Sequence, residues 1–285
     1  MTAKQFRFGV NLIGGTDKKA WQDGARQAED LGYDVIMVPD HLGMPAPFPA
    51  LVSAAEVTTR PRLGTFVSNV GFYRPAVLAR DVAGTDQLTD GRLEIGLGAG
   101  YEQWEFEAAE LPFPSAKERT DHLVHTVTEL NRLLADPDYS PKPAQQPVPV
   151  MVAGSGNRVL RLAARQAQIV GLAGLSGQVR DGVADPLADR VDFVREAAGE
   201  RFAELELNLL IQGIGVDTMP DLTMAGRRAP DFSQEQLLGL PNVLHGSAGE
   251  IADKLHRLRE TYGITYFAVL QPGMTDLAKV ISLLR

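Results

Sequence analysis

The stretch IMVPDHLG, residues 36–43, runs apolar and then stops on two adjacent titratable side chains, Asp40 and His41. An imidazole titrates near pH ~6.5, so it can take or give a proton in the neutral range. A neighbouring carboxylate can orient the ring or contact a ligand itself. The plainer alternative is a solvated strand end whose histidine bonds to main chain. Two other stretches end in the same manner. In AGSGNRVLRLAAR, 153–165, the glycines at Gly154 and Gly156 bracket Ser155 just before a helical pattern. Bare main-chain N–H groups at a helix start can bind an anion, with Ser155 as a further donor and Arg158, Arg161 and Arg165 as counter-charges. The alternative is a tight turn that needs glycine only for its shape. In TFVSNVGFYRP, 65–75, an apolar run ends in Ser68 and Asn69, which could hydrogen-bond a flat heterocycle or could simply begin a loop.

Other chemistries find little support. The glycine runs at 96–101 and 154–159 each miss G-x-G-x-x-G at its last position, where Tyr101 and Val159 stand. No P-loop and no G-x-S-x-G elbow is present. His122 and His125 sit three apart on a helical pattern without a matching acid, which points to packing or surface roles and gives no metal site. The chain has no cysteine, which excludes disulfides, cysteine-held metal and a cysteine nucleophile.

What must position these residues follows from the alternation of short apolar runs with longer amphipathic ones. Strands are predicted at 6–13, 34–39, 63–70, 93–100, 148–154, 169–175, 206–216 and 265–272. Helices are predicted at 18–31, 50–58 and 75–89, from Ser115 to about Leu134, after Asn157, near 184–199, from Ser247 to about Tyr262, and at the end. Ser115-x-x-Glu118 and Ser247-x-x-Glu250 have the form of capping boxes. Eight strand–helix pairs in 285 residues predict a (β/α)8 TIM barrel as a single domain over 1–285, with a doubly wound open sheet as the alternative. In a barrel, Asp40 and His41 end the second strand on the face where such enzymes place their chemistry. The long segments 101–114 and 217–246 follow the fourth and seventh strands and belong to that face. The proline-rich segment 136–147 belongs to the other.

The formal charge of −8 argues against a non-specific nucleic-acid binder. No run approaches the roughly 20 apolar residues that span a bilayer, and no signal peptide is apparent, so the expected setting is cytoplasmic.

Longer stretches carry a resemblance that short motifs do not. FGVNL at 8–12, DVIMVPDHL at 34–42, TDGRLEIGLGAGYEQWEFEAAELPFPSAKERTDHL at 89–123, VPVMVAGSGNRVLRLAARQAQIV at 148–170 and SAGEIADKLHRLRETYGITYFAVL at 247–270 together resemble the bacterial-luciferase-like superfamily of flavin and deazaflavin oxidoreductases. The Asp-His pair is similar to the branch that uses the deazaflavin coenzyme F-420. The resemblance implies a TIM barrel with an insertion after strand seven and a cofactor on the C-terminal face. His41 would lie beside the reactive ring as the catalytic residue, with Asp40 close to the cofactor. Ser68–Asn69 resembles the site of a non-proline cis peptide behind the ring, and Gly154-Ser155-Gly156 the loop that holds the cofactor phosphate. Sugar-phosphate dehydrogenases of this branch carry a catalytic glutamate where Tyr101 stands. Glu102 and Glu105 are near but out of register, so a different small organic substrate is expected. The resemblance also implies a homodimer through helices near the second and third strands. The alternatives are a monooxygenase using reduced FMN, with a separate flavin or deazaflavin reductase as partner, and a cofactor-binding barrel without turnover.

Overall fold

The computed structural model describes residues 4–15, 17–172 and 185–285. The strands are β1 (Arg7–Asn11), β2 (Val35–Val38), β3 (Arg62–Thr65), β4 (Ser68–Asn69), β5 (Leu93–Gly98), β6 (Val150–Gly154), β7 (Ile169–Leu172), β8 (Glu206–Ile211), β9 (Gly213–Val216), β10 (Val243–Gly246) and β11 (Ile264–Leu270). The helices are α1 (Lys18–Asp30), α2 (Pro47–Ala55), α3 (Pro75–Leu88), α4 (Gln103–Ala108), α5 (Ala116–Ala135), α6 (Asn157–Gln166), α7 (Pro186–Ala198), α8 (Thr223–Arg228), α9 (Gln234–Leu238), α10 (Ala248–Tyr262) and α11 (Met274–Leu284). Parallel pairing runs β1, β2, β3, β5, β6, β7, β8, β11 and back to β1, which closes a (β/α)8 barrel. β4 continues the line of β3 after a two-residue gap, and it too pairs with β5.

Alternation along each strand divides the apolar residues into two layers. Phe8, Val10 and Leu12 of the first strand region face the helices. Val35, Met37, Met151, Ile169, Tyr266 and Ala268 form a separate cluster inside the barrel. At the N-terminal end the barrel is closed by charge. Glu94 accepts from Arg7 at 2.7 Å, from Arg62 at 3.2 Å and from the Tyr266 hydroxyl at 3.0 Å. A second carboxylate, Glu206, also pairs with Arg7. Sharing donors in this way offsets the desolvation of buried carboxylates.

Local sequence accounts for the helix ends. Both expected capping boxes form, at Ser115 with Glu118 and at Ser247 with Glu250. α2 starts earlier than expected, because Pro47 takes the first helical position, where its missing N–H costs nothing. The segment 136–147 crosses the N-terminal end of the barrel as expected. There Gln145 bonds to Asp86 and to Arg62.

Three expectations need correction. The predicted seventh strand, 206–216, is two strands: β8 stays in the barrel, and β9 leaves it to pair with β10. The chain turns away at Gly213 and Gly215, which pack directly against the backbone of residues 218–221. The insertion is therefore built of α8, α9 and β10, around an apolar cluster of Ala225, Ala229, Leu237, Leu240 and Val243. The third strand is also broken. The cis peptide is Phe66–Val67, not Ser68–Asn69. Ser68 and Asn69 are already back in parallel register with Leu97 and Gly98, a ladder that needs ordinary trans links. Of the predicted sixth strand, 169–175, and the helix near 184–199, residues 173–175 and 184 lie outside the described residues.

Candidate active site

The expected pair sits just beyond β2, at the C-terminal end of the barrel. His41 Nδ1 lies 2.7 Å from Glu105 Oε1, and the Leu42 N–H donates to the same oxygen at 3.2 Å. An oxygen that accepts from a main-chain N–H is acting as an acceptor. The proton of the His41 bond then resides on Nδ1 and leaves Nε2 as the ring's second, acceptor nitrogen. The Glu105 side chain is 2 % exposed and that of His41 31 %, so one partner is held inside and the other reaches solvent.

Glu105 stands four residues past Tyr101, and α4 is what brings it to His41. Only six residues long, this helix cannot stand by itself. It is anchored by the buried Phe106, whose ring lies 5.6 Å from Phe72 and 5.2 Å from Phe113. Arg119 stacks over Phe113 at 4.2 Å and donates to Gly100 O at 3.1 Å, which fixes the loop leading into the helix. The helical turn carries Glu105 back beneath His41. The signal that could have found it is an acid next to an aromatic anchor in a loop on the catalytic face.

Asp40 points elsewhere. Its Oδ2 accepts from Asn69 N–H at 3.0 Å and its carboxyl bonds to the Tyr73 hydroxyl. Burial holds its pKa above the usual aspartate range, while these two donors pull it back down. Burial, together with the Asp40 charge, also raises the Tyr73 phenol. Asp40 thus ties the end of β2 to β4 and brings Ser68 and Asn69 beside His41. Among the described residues, the buried Ser68 hydroxyl and Asn69 Nδ2 find no hydrogen-bond partner. The Asn69 Oδ1 accepts from Gly71 N–H at 3.0 Å. A Cβ at Gly100, whose φ is +73°, would lie 2.2 Å from that oxygen. Glycine there is required by both conformation and space.

The Gly154-Ser155-Gly156 loop follows β6, across β5 from Ser68 and Asn69. A Cβ at Gly154 would meet Val159 Cγ1 at 2.7 Å, whereas one at Gly156 would meet nothing within 4 Å. Gly156 caps α6 without a side-chain bond, and the first turn holds no acid. The start of α6 therefore presents main-chain N–H groups with neither a side-chain cap nor an acid beside them. Two of the three arginines expected as counter-charges are engaged elsewhere: Arg158 pairs with Asp121 on α5, and Arg161 lies over the Phe193 ring of α7. Helical spacing turns both away from the loop. His122 takes the expected packing role, with Nε2–H donating to Val70 O at 2.9 Å.

Tyr101 occupies the rim. Its ring meets His41 edge to face at 5.9 Å, and the Arg228 guanidinium from α8 lies 5.1 Å over its other side. The insertion thus reaches the site, a contact no sequence motif announced. Among the described residues, unpartnered buried donors at Ser68 and Asn69, an uncapped helix start at Gly156 and a histidine whose Nε2 makes no hydrogen bond fit a planar heterocycle that carries a phosphate.

The family model described as luciferase-like monooxygenase matches residues 4–216. An F420-dependent glucose-6-phosphate dehydrogenase of Intrasporangium calvum is 35 % identical over 195 residues, which is 60 % of this chain and 58 % of that protein. Over that alignment the chain spans less than two thirds of the relative's length. An enzyme of the same name from Nakamurella multipartita is 29 % identical over 284 residues, covering 90 % of this chain and 81 % of its own. Among solved structures, an F420-dependent secondary alcohol dehydrogenase in complex with an F420-acetone adduct superimposes with a TM-score of 0.77 at 18 % identity, over 99 % of this chain and 100 % of that one. At that identity the likeness is one of fold.

Proposed function

Because the chain belongs to the luciferase-like monooxygenase family, we propose that it is a coenzyme F-420-dependent oxidoreductase acting on a small organic molecule. When bound, the deazaflavin supplies a hydride acceptor or donor at the barrel mouth. The observation that carries the proposal is the His41–Glu105 pair at 2.7 Å, beside Asp40 and the unpartnered atoms of Ser68 and Asn69. The names of the two dehydrogenase relatives favour the deazaflavin over FMN.

In this reading His41 is the catalytic residue. With its Nδ1 proton held by Glu105, Nε2 takes the proton that leaves the substrate as hydride departs, and returns it in the reverse direction. Glu105 stabilises the imidazolium formed in between. Ser68 and Asn69 hold the ring, Asp40, expected beside the cofactor, positions them through its bond to Asn69 N–H, and Gly154, Ser155 and Gly156 hold the phosphate. Tyr101 and the insertion shape the substrate pocket, and Tyr101 in place of an acid favours a substrate other than a sugar phosphate. The proposal carries with it a cytoplasmic setting and a homodimer.

The test is a fluorescence titration of cofactor-free protein with oxidised F-420 and, separately, with FMN. Trp104 sits half exposed on α4, one residue from Glu105, and is placed to report, whereas Trp21 is buried against Ala50. Tight F-420 binding with weak FMN binding is the expected result. The reverse preference would replace the proposal with a flavin monooxygenase served by a separate reductase. Tight F-420 binding with no exchange on a broad substrate screen would leave a cofactor-binding barrel.

A further inference from the structure

The opposite end of the barrel holds a second concavity. A cleft of about 410 Å³ opens at the N-terminal face, lined by Arg7, Arg60, Arg62 and Arg285 and by one carboxylate, Asp34. These residues come from four places in the chain: the start of β1, the approaches to β2 and β3, and the position after α11. Tyr33 also borders the cleft, but its ring is buried and its hydroxyl donates to Met274 O, so no aromatic face is offered. The lining is therefore rich in arginine and presents no aromatic ring.

The arginines have internal partners, but those partners use only part of each fork. Arg62 gives Nε to Glu94 and Nη2 to Leu93 O and Gln145. Arg60 gives Nε and Nη2 to Glu29, and Arg285 gives Nη2 to Asp34. Among the described residues, Nη1 of Arg60, Arg62 and Arg285 makes no hydrogen bond. Three of the carboxylates that balance the charge lie behind the guanidinium groups, with side-chain exposure of 4 % for Glu94, 20 % for Glu206 and 14 % for Glu29, while Asp34 lines the cleft and pairs with Arg285. Their bonds also hold the forks in fixed orientations, so little side-chain freedom is left to lose on binding.

We propose that this cleft binds a small polyanion, a diphosphate or a polycarboxylate, independently of the cofactor site. Planar, fixed guanidinium groups recognise such oxyanions in bidentate fashion. With no aromatic side chain in the lining turned toward it, the cleft recognises its ligand through charge and hydrogen bonding.

Isothermal titration with inorganic pyrophosphate and with citrate, against sodium chloride at matched ionic strength, tests this. One saturable site per chain is expected for at least one of the two anions, and the preferred anion identifies the ligand class. The double variant Arg60→Gln/Arg285→Gln alters the two more exposed guanidinium groups and leaves Arg7 and Arg62 in the barrel plug. It should weaken that site roughly tenfold or more, with an unchanged circular dichroism spectrum and unchanged F-420 or FMN binding. Three outcomes would overturn the proposal: no saturable binding of either anion, a response that chloride reproduces, or binding that survives the double variant. Binding that F-420 displaces would place the anion on the Gly154–Gly156 loop and would overturn it as well.

Discussion

His41 Nδ1 and the Glu105 carboxylate lie 2.7 Å apart across 64 residues of sequence. Of the two side chains, only His41 reaches solvent. The pair joins the end of one barrel strand to a short helix in the loop after another. The first two predictions follow from it.

Replacing His41 with Ala should lower kcat by about 10²–10⁴-fold, the range for loss of a positioned acid–base group. The affinity for oxidised cofactor should change little. Steady-state kinetics on a responsive substrate, with the binding titration repeated, checks both. Full turnover in a folded variant would remove His41 from the mechanism.

Glu105→Gln keeps the size and can still accept from Leu42 N–H, but it no longer stabilises a charged imidazole. Turnover should fall by about tenfold or more, with a shifted pH–kcat profile and an unchanged unfolding midpoint. A purely structural role would instead move the midpoint and leave the profile in place.

Asp40 supplies a pH signature. Its pKa in the folded protein is raised, chiefly by burial. The folded state therefore holds this proton more tightly than the unfolded chain. Its contribution to stability is fully present below the ordinary aspartate pKa and is lost as pH rises through the folded value. Urea unfolding of the protein and of Asp40→Asn across the acidic range should show their stability difference changing in that window, with the unsubstituted protein losing ground as pH rises. Parallel curves would contradict the assignment.

Gly100→Ala should destabilise the protein by about 1–3 kcal/mol, because the residue sits at φ +73° and the new methyl meets Asn69. Cofactor affinity should fall with it, since Asn69 must shift. Chemical denaturation and the titration together measure the two effects.

The barrel was legible because continuous apolar runs report strands buried on both faces, and capping boxes report helix starts. Asp40 and His41 were legible because they interrupt such a run at its end. Glu105 was visible, but linear register does not show the helical turn that swings it beneath His41. Arg228 gave no signal: its contact with Tyr101 depends on how an irregular insertion folds back. The division of residues 206–216 was hidden because β8 and β9 are equally apolar, and only the packing of Gly213 and Gly215 separates them. The cis peptide was placed two residues late because its position rested on resemblance alone, and side-chain types do not mark a non-proline cis link.

The sheet of β9 and β10 has a consequence beyond this chain. Residues 213–246 leave the barrel and return with their own pairing and their own apolar cluster. Lys254 of α10 seals the junction by donating to Leu240 O and Val243 O. Val216 of β9 and Leu244 of β10 belong to the main core, but α8 and α9 between them are a cartridge: they can be exchanged or remodelled without breaking one hydrogen bond of the barrel ladder. Inheritance can then act on the two parts at different speeds, with the reactive end of the barrel held constant while the cartridge drifts, and a library confined to these residues would sample new preferences on an undisturbed frame.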